Sequence, residues 1–333
     1  MNQKHLHFLC TELQLGSSNG MATSIYGSRG GSLMWQVKTD KGNFAIKQLA
    51  PVIDLKNEKI VTKYELSETI AYLFKQHGIP AVIALDKSRK HLFIVENVGY
   101  LVYPWVEGYT LGRNEVSKSH AFKIAELIAK LHSINLSVPE ISEPRFDIHT
   151  NDKIDEAIGK AASNQCSFAK NLKENQSLIF AANDSYLAAI SFLKKDTVVT
   201  HGDVDQLNIL WGKTDQPILI DWESARKMNS TREIVRTSLG WAGIGSDNFS
   251  LPIYVGMLHA YIKSGGILNI NQMNAALHAV FGSQINWMLY NIEVSCTNNT
   301  SKEKEVAIQE INSVVMTMIR LKKLIPTLLK IAL

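Results

Sequence analysis

Three oxygen-bearing side chains define the chemistry open to this chain. In His201-Gly-Asp-Val-Asp-Gln-Leu-Asn208, Asp203 stands five residues before Asn208, and Asp221 follows thirteen residues later in Pro217-Ile-Leu-Ile-Asp221-Trp-Glu223. A loop carboxylate can accept the proton of an attacking hydroxyl, while a carboxamide and a second carboxylate are hard donors that hold Mg²⁺ against nucleotide phosphates. Apolar, strand-like residues flank both pieces, so the set suits ATP-dependent phosphoryl transfer. No Gly-Lys-Ser/Thr phosphate loop occurs in the sequence, which argues against the other major phosphoryl-transfer architecture, and no His/Cys cluster offers a zinc site.

These residues need strands and helices to position them. Met34–Asp40 and Asn43–Leu49 read as a hairpin around Asp40-Lys-Gly42. The segment 57–77 reads as a helix closed by Gly78 and Pro80, and Leu92–Glu96 and Tyr100–Pro104 as further strands. Trp105-Val-Glu-Gly108 is a turn-like hinge between an N-terminal part, 1–104, and a C-terminal part, 105–333. Apolar residues at helical spacing between Ser119 and His132 predict an amphipathic helix. Residues 139–195 read as polar and mostly helical, 208–211 and 218–220 as short strands, and the chain beyond Arg232 as helices.

At 333 residues, with 45% hydrophobic and 20% charged residues and a net charge of +4, the chain can bury a large core and lacks the basic character of a nucleic-acid binder. Cys10, Cys166 and Cys296 are sparse, odd in number and far apart, which favours a reducing, cytoplasmic setting over a disulfide framework. The N-terminus carries no secretion signal pattern. The apolar stretch 314–333 is interrupted by Arg320, Lys322, Lys323 and Pro326 and reads as a packed amphipathic helix, with a membrane-surface helix as the alternative. Neither a membrane nor an obligate protein partner is implied.

Taken together, these pieces resemble the aminoglycoside phosphotransferase and choline kinase superfamily, the small-molecule branch of the protein-kinase-like fold. The resemblance rests on the Gly27–Ser32 loop, Phe44-Ala-Ile-Lys47, the helix with Glu65 and Glu68, the Leu101–Gly108 hinge, Ala129-Lys-Leu-His132, the His201–Asn208 loop and Ile218–Glu223. It implies an α+β, bilobal architecture: an antiparallel N-terminal sheet with one helix, then a mostly helical C-terminal lobe. It also implies that Lys47 contacts ATP phosphates and is held by Glu65 or Glu68, and that Ser28, Gly30 and Ser32 cover the phosphates. Hinge backbone groups from Pro104 to Val106 would meet the adenine edge, with Tyr103 and Trp105 as walls. Asp203 would be the catalytic base, Asn208 and Asp221 the Mg²⁺ ligands, and His201 and Glu233 structural.

The acceptor is expected to be a small hydroxyl compound: an amino alcohol, a sugar derivative or an aminoglycoside. Asp205, Glu223, Trp241, Trp287, Tyr290 and Glu293 are candidate contacts, since aromatic faces and carboxylates suit a cationic ligand. Arg226, Lys227, Arg232 and Arg236 crowd the region after Asp221 and weigh against a polycationic acceptor. A non-catalytic nucleotide-binding module and a protein kinase are the alternatives. No Ala-Pro-Glu anchor follows Asp221, as a protein kinase would need.

Overall fold

The computed structural model describes the chain apart from residues 19, 21, 26–30, 113, 142, 298, 299, 332 and 333. The described residues form two compact units, Met1–Thr110 with Leu207–Ala225, and Leu111–Gln206 with Arg226–Leu333.

The first unit is built on α1 (Gln3–Glu12) and a sheet of β1 (Thr23–Ile25), β2 (Leu33–Thr39), β3 (Gly42–Gln48), β4 (Phe93–Val95) and β5 (Val98–Pro104), with α2 (Glu58–Gln76) between β3 and β4. The strands run antiparallel in the order β1-β2-β3-β5-β4. Asn57 caps α2 by accepting from the Lys59 amide, and Gly78, at φ 78°, follows its C-terminal end. Alternation along the strands decides where the chemistry falls. Ile46, Tyr100 and Val102 face a cluster with Leu6 and Leu9 of α1. Leu101 packs with Leu49 and Tyr64 of α2, and Lys47, paired with Leu101 in register, shares that second face. The sheet is therefore covered on both sides, and α1 is a covering helix that the sequence reading did not anticipate.

The second unit is helical: α3 (Lys118–Ser133), α4 (Asn151–Ser163), α5 (Ala169–Glu174) and α6 (Gln176–Leu193). After β6 (Thr197–Thr200) the chain returns to the first unit for the hairpin β7 (Ile209–Trp211) and β8 (Pro217–Leu219). It re-enters the second unit at β9 (Arg226–Asn229), the antiparallel partner of β6, and continues into α7 (Ser230–Trp241), α8 (Leu251–Lys263), α9 (Met273–Cys296) and α10 (Ser301–Ile331). Residues 314–331 of the C-terminal stretch belong to α10. Ala307, Ile311, Val314, Met318, Leu321, Ile325 and Leu328 are buried at alternating four- and three-residue spacing, the stripe of a helix packed on its neighbours. No described helix is long and apolar enough to cross a membrane.

Cys166 and Cys296, 130 positions apart in sequence, lie with their sulfurs 3.7 Å apart as free thiols, a proximity that their spacing concealed. Packing between α6 and α9 is close enough to demand glycine. A Cβ at Gly282 would stand 2.5 Å from the ring of Tyr186, itself 1% exposed. Gly282→Ala should therefore cost about 1–3 kcal/mol through overpacking, read as a lower urea midpoint with the slope unchanged.

Candidate functional site

The first unit gathers an ammonium and two carboxylates. Lys47 Nζ donates to Asp221 Oδ1 at 3.0 Å and Oδ2 at 3.1 Å, and Glu223 Oε1 lies 2.6 Å from it. Burial alone would lower the Lys47 pKa, but Glu223 and Asp221 outweigh it and raise the value, keeping the amine charged. Glu223 is shifted upward by burial first and by Asp221, against the pull of Lys47. One positive charge thus faces two negative ones.

Asn208 belongs to the same end of this unit. β7 pairs with β8 so that Ile209 opposes Leu219, and the Asn208 carbonyl accepts from the Ile220 amide at 3.0 Å. Asp221, the next residue, sits at φ 61° and ψ 67°, a left-handed conformation that costs a non-glycine residue energy and is concentrated at functional sites. Phe74 of α2 stacks on Trp222 with ring centroids 5.5 Å apart and fixes the turn that carries Asp221 and Glu223. Among the described residues no group of three or more His, Cys, Asp or Glu side chains gathers to hold a metal by itself. The donors here, Asp221, Asn208 and neighbouring Glu223, fit a hard divalent cation completing its shell with phosphate oxygens and water, as Mg²⁺ does.

The expectation that Lys47 pairs with Glu65 or Glu68 is corrected. Glu68 accepts from the Ala84 amide at 2.7 Å and the Tyr103 hydroxyl at 2.9 Å, while Glu65 accepts from the His91 and Leu92 amides. Both glutamates are spent on α2's hold over the neighbouring loop and strand, and Lys47 takes its partners from the segment after β8. Burial raises Glu68 to about 7, against the lowering effect of its two hydrogen bonds. Tyr103 is tied to Glu68, and the Trp105 indole donates to Glu107. The Trp105 amide already donates to Asn43, so it is committed within the protein. Ser32 is buried before β2; Ser28 and Gly30 lie outside the described residues.

The second unit holds Asp203. Arg236 Nη2 donates to Asp203 Oδ1 at 2.8 Å and Arg236 Nη1 to the Gly202 carbonyl at 2.9 Å. Burial would raise the Asp203 pKa, but Arg236, with His201 and Arg226, outweighs it and holds the carboxyl below its ordinary range. The loop is braced from beneath. Fully buried Glu233 of α7 accepts from His132 Nε2 at 2.7 Å and from the Gly202 amide at 3.1 Å. His132 Nδ1 lies 2.8 Å from the Tyr261 hydroxyl. The Asp203 amide donates to His201 Nδ1, and the Trp241 indole to the Val204 carbonyl. Burial would lift the Glu233 pKa, yet its hydrogen bonds and the His132 charge hold it down.

Asp203 opens onto a pocket within the second unit that is also lined by Asp205, Arg236, Trp241, Trp287 and Glu310. The Trp287 indole donates to Glu310 Oε2 at 3.0 Å. Of the expected acceptor contacts, Asp205, Trp241 and Trp287 come together here. Tyr290 stacks on Trp287 but is exposed and does not line the pocket, and Glu293 pairs with Lys160 at the surface. Glu223 belongs with Lys47. Arg236 and Glu310 were missed as site residues. The four-residue spacing of Arg232 and Arg236 marked a shared helical face, but only the fold brings α10 to the pocket.

A family model described as the phosphotransferase enzyme family matches residues 32–261, more than two-thirds of the chain. The chain belongs to that family. Similar solved structures include a spectinomycin phosphotransferase in complex with ADP and spectinomycin, at 15% identity and a TM-score of 0.69, covering 97% of this chain and 99% of that one. An ethanolamine kinase from Plasmodium vivax matches at 16% identity and a TM-score of 0.60, covering 94% and 90%. The choline kinase LicA from Streptococcus pneumoniae matches at 15% and 0.59, covering 94% and 99%. These likenesses establish the fold read from the sequence, an antiparallel N-terminal sheet followed by a helical C-terminal part. No curated relative matches the chain.

The Glu233 brace can be tested by acid titration. A carboxyl depressed in the folded state contributes stability above the ordinary glutamate range and loses it as pH falls through the folded value. Glu233→Gln should therefore be less stable by about 3 kcal/mol at pH 7. The gap to the wild type should close below about pH 4, as read from urea midpoints across pH.

Proposed function

We propose that this protein is a Mg²⁺-dependent kinase that moves the γ-phosphoryl group of ATP to a hydroxyl of a small molecule. The observation that carries this reading is Asp203, held ionised by Arg236 at the edge of a pocket lined by aromatic and polar side chains. A carboxylate kept anionic is a weak base, so its work is to orient the acceptor hydroxyl and to receive the proton late, as the bond from oxygen to phosphorus forms and the bond to the ADP leaving group breaks. The divalent ion supplies charge neutralisation on the phosphates. Lys47 binds and orients the nucleotide phosphates, with Asp221, Asn208 and Glu223 as the metal-side donors. The ADP bound to the spectinomycin phosphotransferase supports a nucleotide as the phosphoryl donor.

Asp205, Trp241, Trp287 and Glu310 are the side chains we assign to acceptor contact. The acceptor is a hydroxylated metabolite, with amino alcohols, sugar derivatives and aminoglycosides as the classes to be assayed.

ADP release by the purified protein with ATP, Mg²⁺ and an acceptor panel tests the proposal. Asp203→Ala should lower turnover by roughly 10²–10⁴-fold while nucleotide affinity stays unchanged. A parallel loss of nucleotide binding would move Asp203 out of the acceptor role. Lys47→Ala should weaken nucleotide binding, and normal ATP saturation in that variant would contradict its assignment. Because Asp203 is depressed, the wild-type pH profile should show no acid limb from this group until pH falls below the ordinary carboxylate range.

A further inference from the structure

Within the second unit, two guanidinium groups converge on the loop that carries Asp203, and a third interacts electrostatically with both. Arg226 Nη2 and Arg236 Nη1 both reach the Gly202 carbonyl, at 3.4 and 2.9 Å. Arg232 stands four residues before Arg236 on α7, and the charges of Arg226 and Arg236 both bear on it. Arg232 is 5% exposed, and its Nε is buried without a hydrogen-bond partner among the described residues, as is the Nε of Arg226. The Arg232 guanidinium carbon stands 5.3 Å from the centroid of the Phe146 ring. Tyr186 and Asp147 are the neighbouring groups whose charge would favour it.

The magnitudes make this arrangement unstable by itself. Removing a cation from water costs more than a cation–π contact returns. Two like charges add to the cost. Arg232 also occupies the first turn of α7, where the helix dipole disfavours a cation. Of the nearby acids, Asp203 is engaged by Arg236 and Glu233 by His132, which leaves Asp147 on an exposed segment. Two neighbouring guanidinium groups, each with a buried and unpartnered Nε, form a donor set of the kind that oxyanions bind.

We infer that Arg226 and Arg232, flanked by Arg236, form a binding site for the carboxylate or phosphate group of an anionic acceptor. This deepens the kinase reading and rests on it. Arg236 links the two regions, since it lines the pocket, holds Asp203 and bears electrostatically on the other two arginines. An anion held there would tether a hydroxylated acid or a sugar phosphate beside Asp203. The sequence raised the arginines only as an argument against polycationic acceptors; the buried, unpartnered Nε atoms of Arg226 and Arg232 turn them into a positive specificity element.

The experiment has two arms, both on the full chain. In the first, inorganic phosphate is titrated into the wild type, Arg232→Gln and Arg226→Gln at constant ionic strength, with calorimetry and melting as readouts. Saturable phosphate binding that raises the wild-type Tm and weakens at least tenfold in either variant is expected. Without phosphate, Arg232→Gln should melt no lower than the wild type, because a repulsive buried charge has been removed. No wild-type binding at millimolar phosphate, or an equal response in the variants, would overturn the site. If Arg232→Gln fails to fold, Arg226→Gln, at a partly exposed position, still decides the question.

In the second arm, ADP release is compared for matched acceptors, homoserine against 3-aminopropanol and a sugar phosphate against its sugar. The anionic member should be preferred, and Arg226→Gln should raise its KM at least tenfold more than that of the uncharged or cationic partner. Preference for the non-anionic members, or loss of ADP affinity in Arg226→Gln, would overturn the acceptor assignment. Absence of turnover with every acceptor, alongside intact phosphate binding, would count against the kinase reading and leave the anion site standing.

Discussion

An ionised group can be buried only if other groups satisfy it, and the arrangement of the second unit follows from how Glu233 meets that condition. Its carboxylate is out of water, so His132 and the Gly202 amide must reach it. That requirement ties α3, α7 and the loop before Asp203 at one point. Arg236 follows Glu233 by three residues on the same helix, so the element that braces the loop from below also supplies the counter-charge for Asp203. A single helix thus fixes both where the acidic loop stands and which protonation state it keeps. In the first unit Lys47 plays a comparable part, because an ammonium on the covered face of the sheet requires acidic partners, and the turn after β8 provides them.

Much of this was written in local patterns. The β2–β3 hairpin, the capped helix over 58–76 and the amphipathic α3 follow from spacing and turn chemistry that act within a few residues. The acidic loop and the strand end at Asp221 were legible because their residue types and separations are demanding. Partners chosen by long-range packing were not. Glu65 and Glu68 stand on the helix expected to meet Lys47, but their carboxylates are drawn to nearby amides, and no local signal announced that Asp221 and Glu223 would take their place. Glu310 comes from a helix a hundred residues beyond Asp203, and α1 covers a sheet that begins after it. Only tertiary contact reveals either role.

The low identity to structures of the same fold becomes intelligible in these terms. What must persist is a small set of charge pairings and the alternation that places Lys47 on one face of a buried sheet. Cores tolerate extensive exchange of apolar residues when volume and pattern are kept.

The left-handed backbone at Asp221 carries a consequence for descent. Asparagine and aspartate visit that region more readily than other side chains bearing a Cβ, so the replacement that best preserves the turn also erases its negative charge. If Asp221 holds the metal as proposed, a lineage that no longer needed the reaction could retire it through one such exchange and leave every helix and strand intact. Silent copies of this architecture would then differ from working ones by one side-chain oxygen replaced by an amide nitrogen, and ancestry would outlast activity.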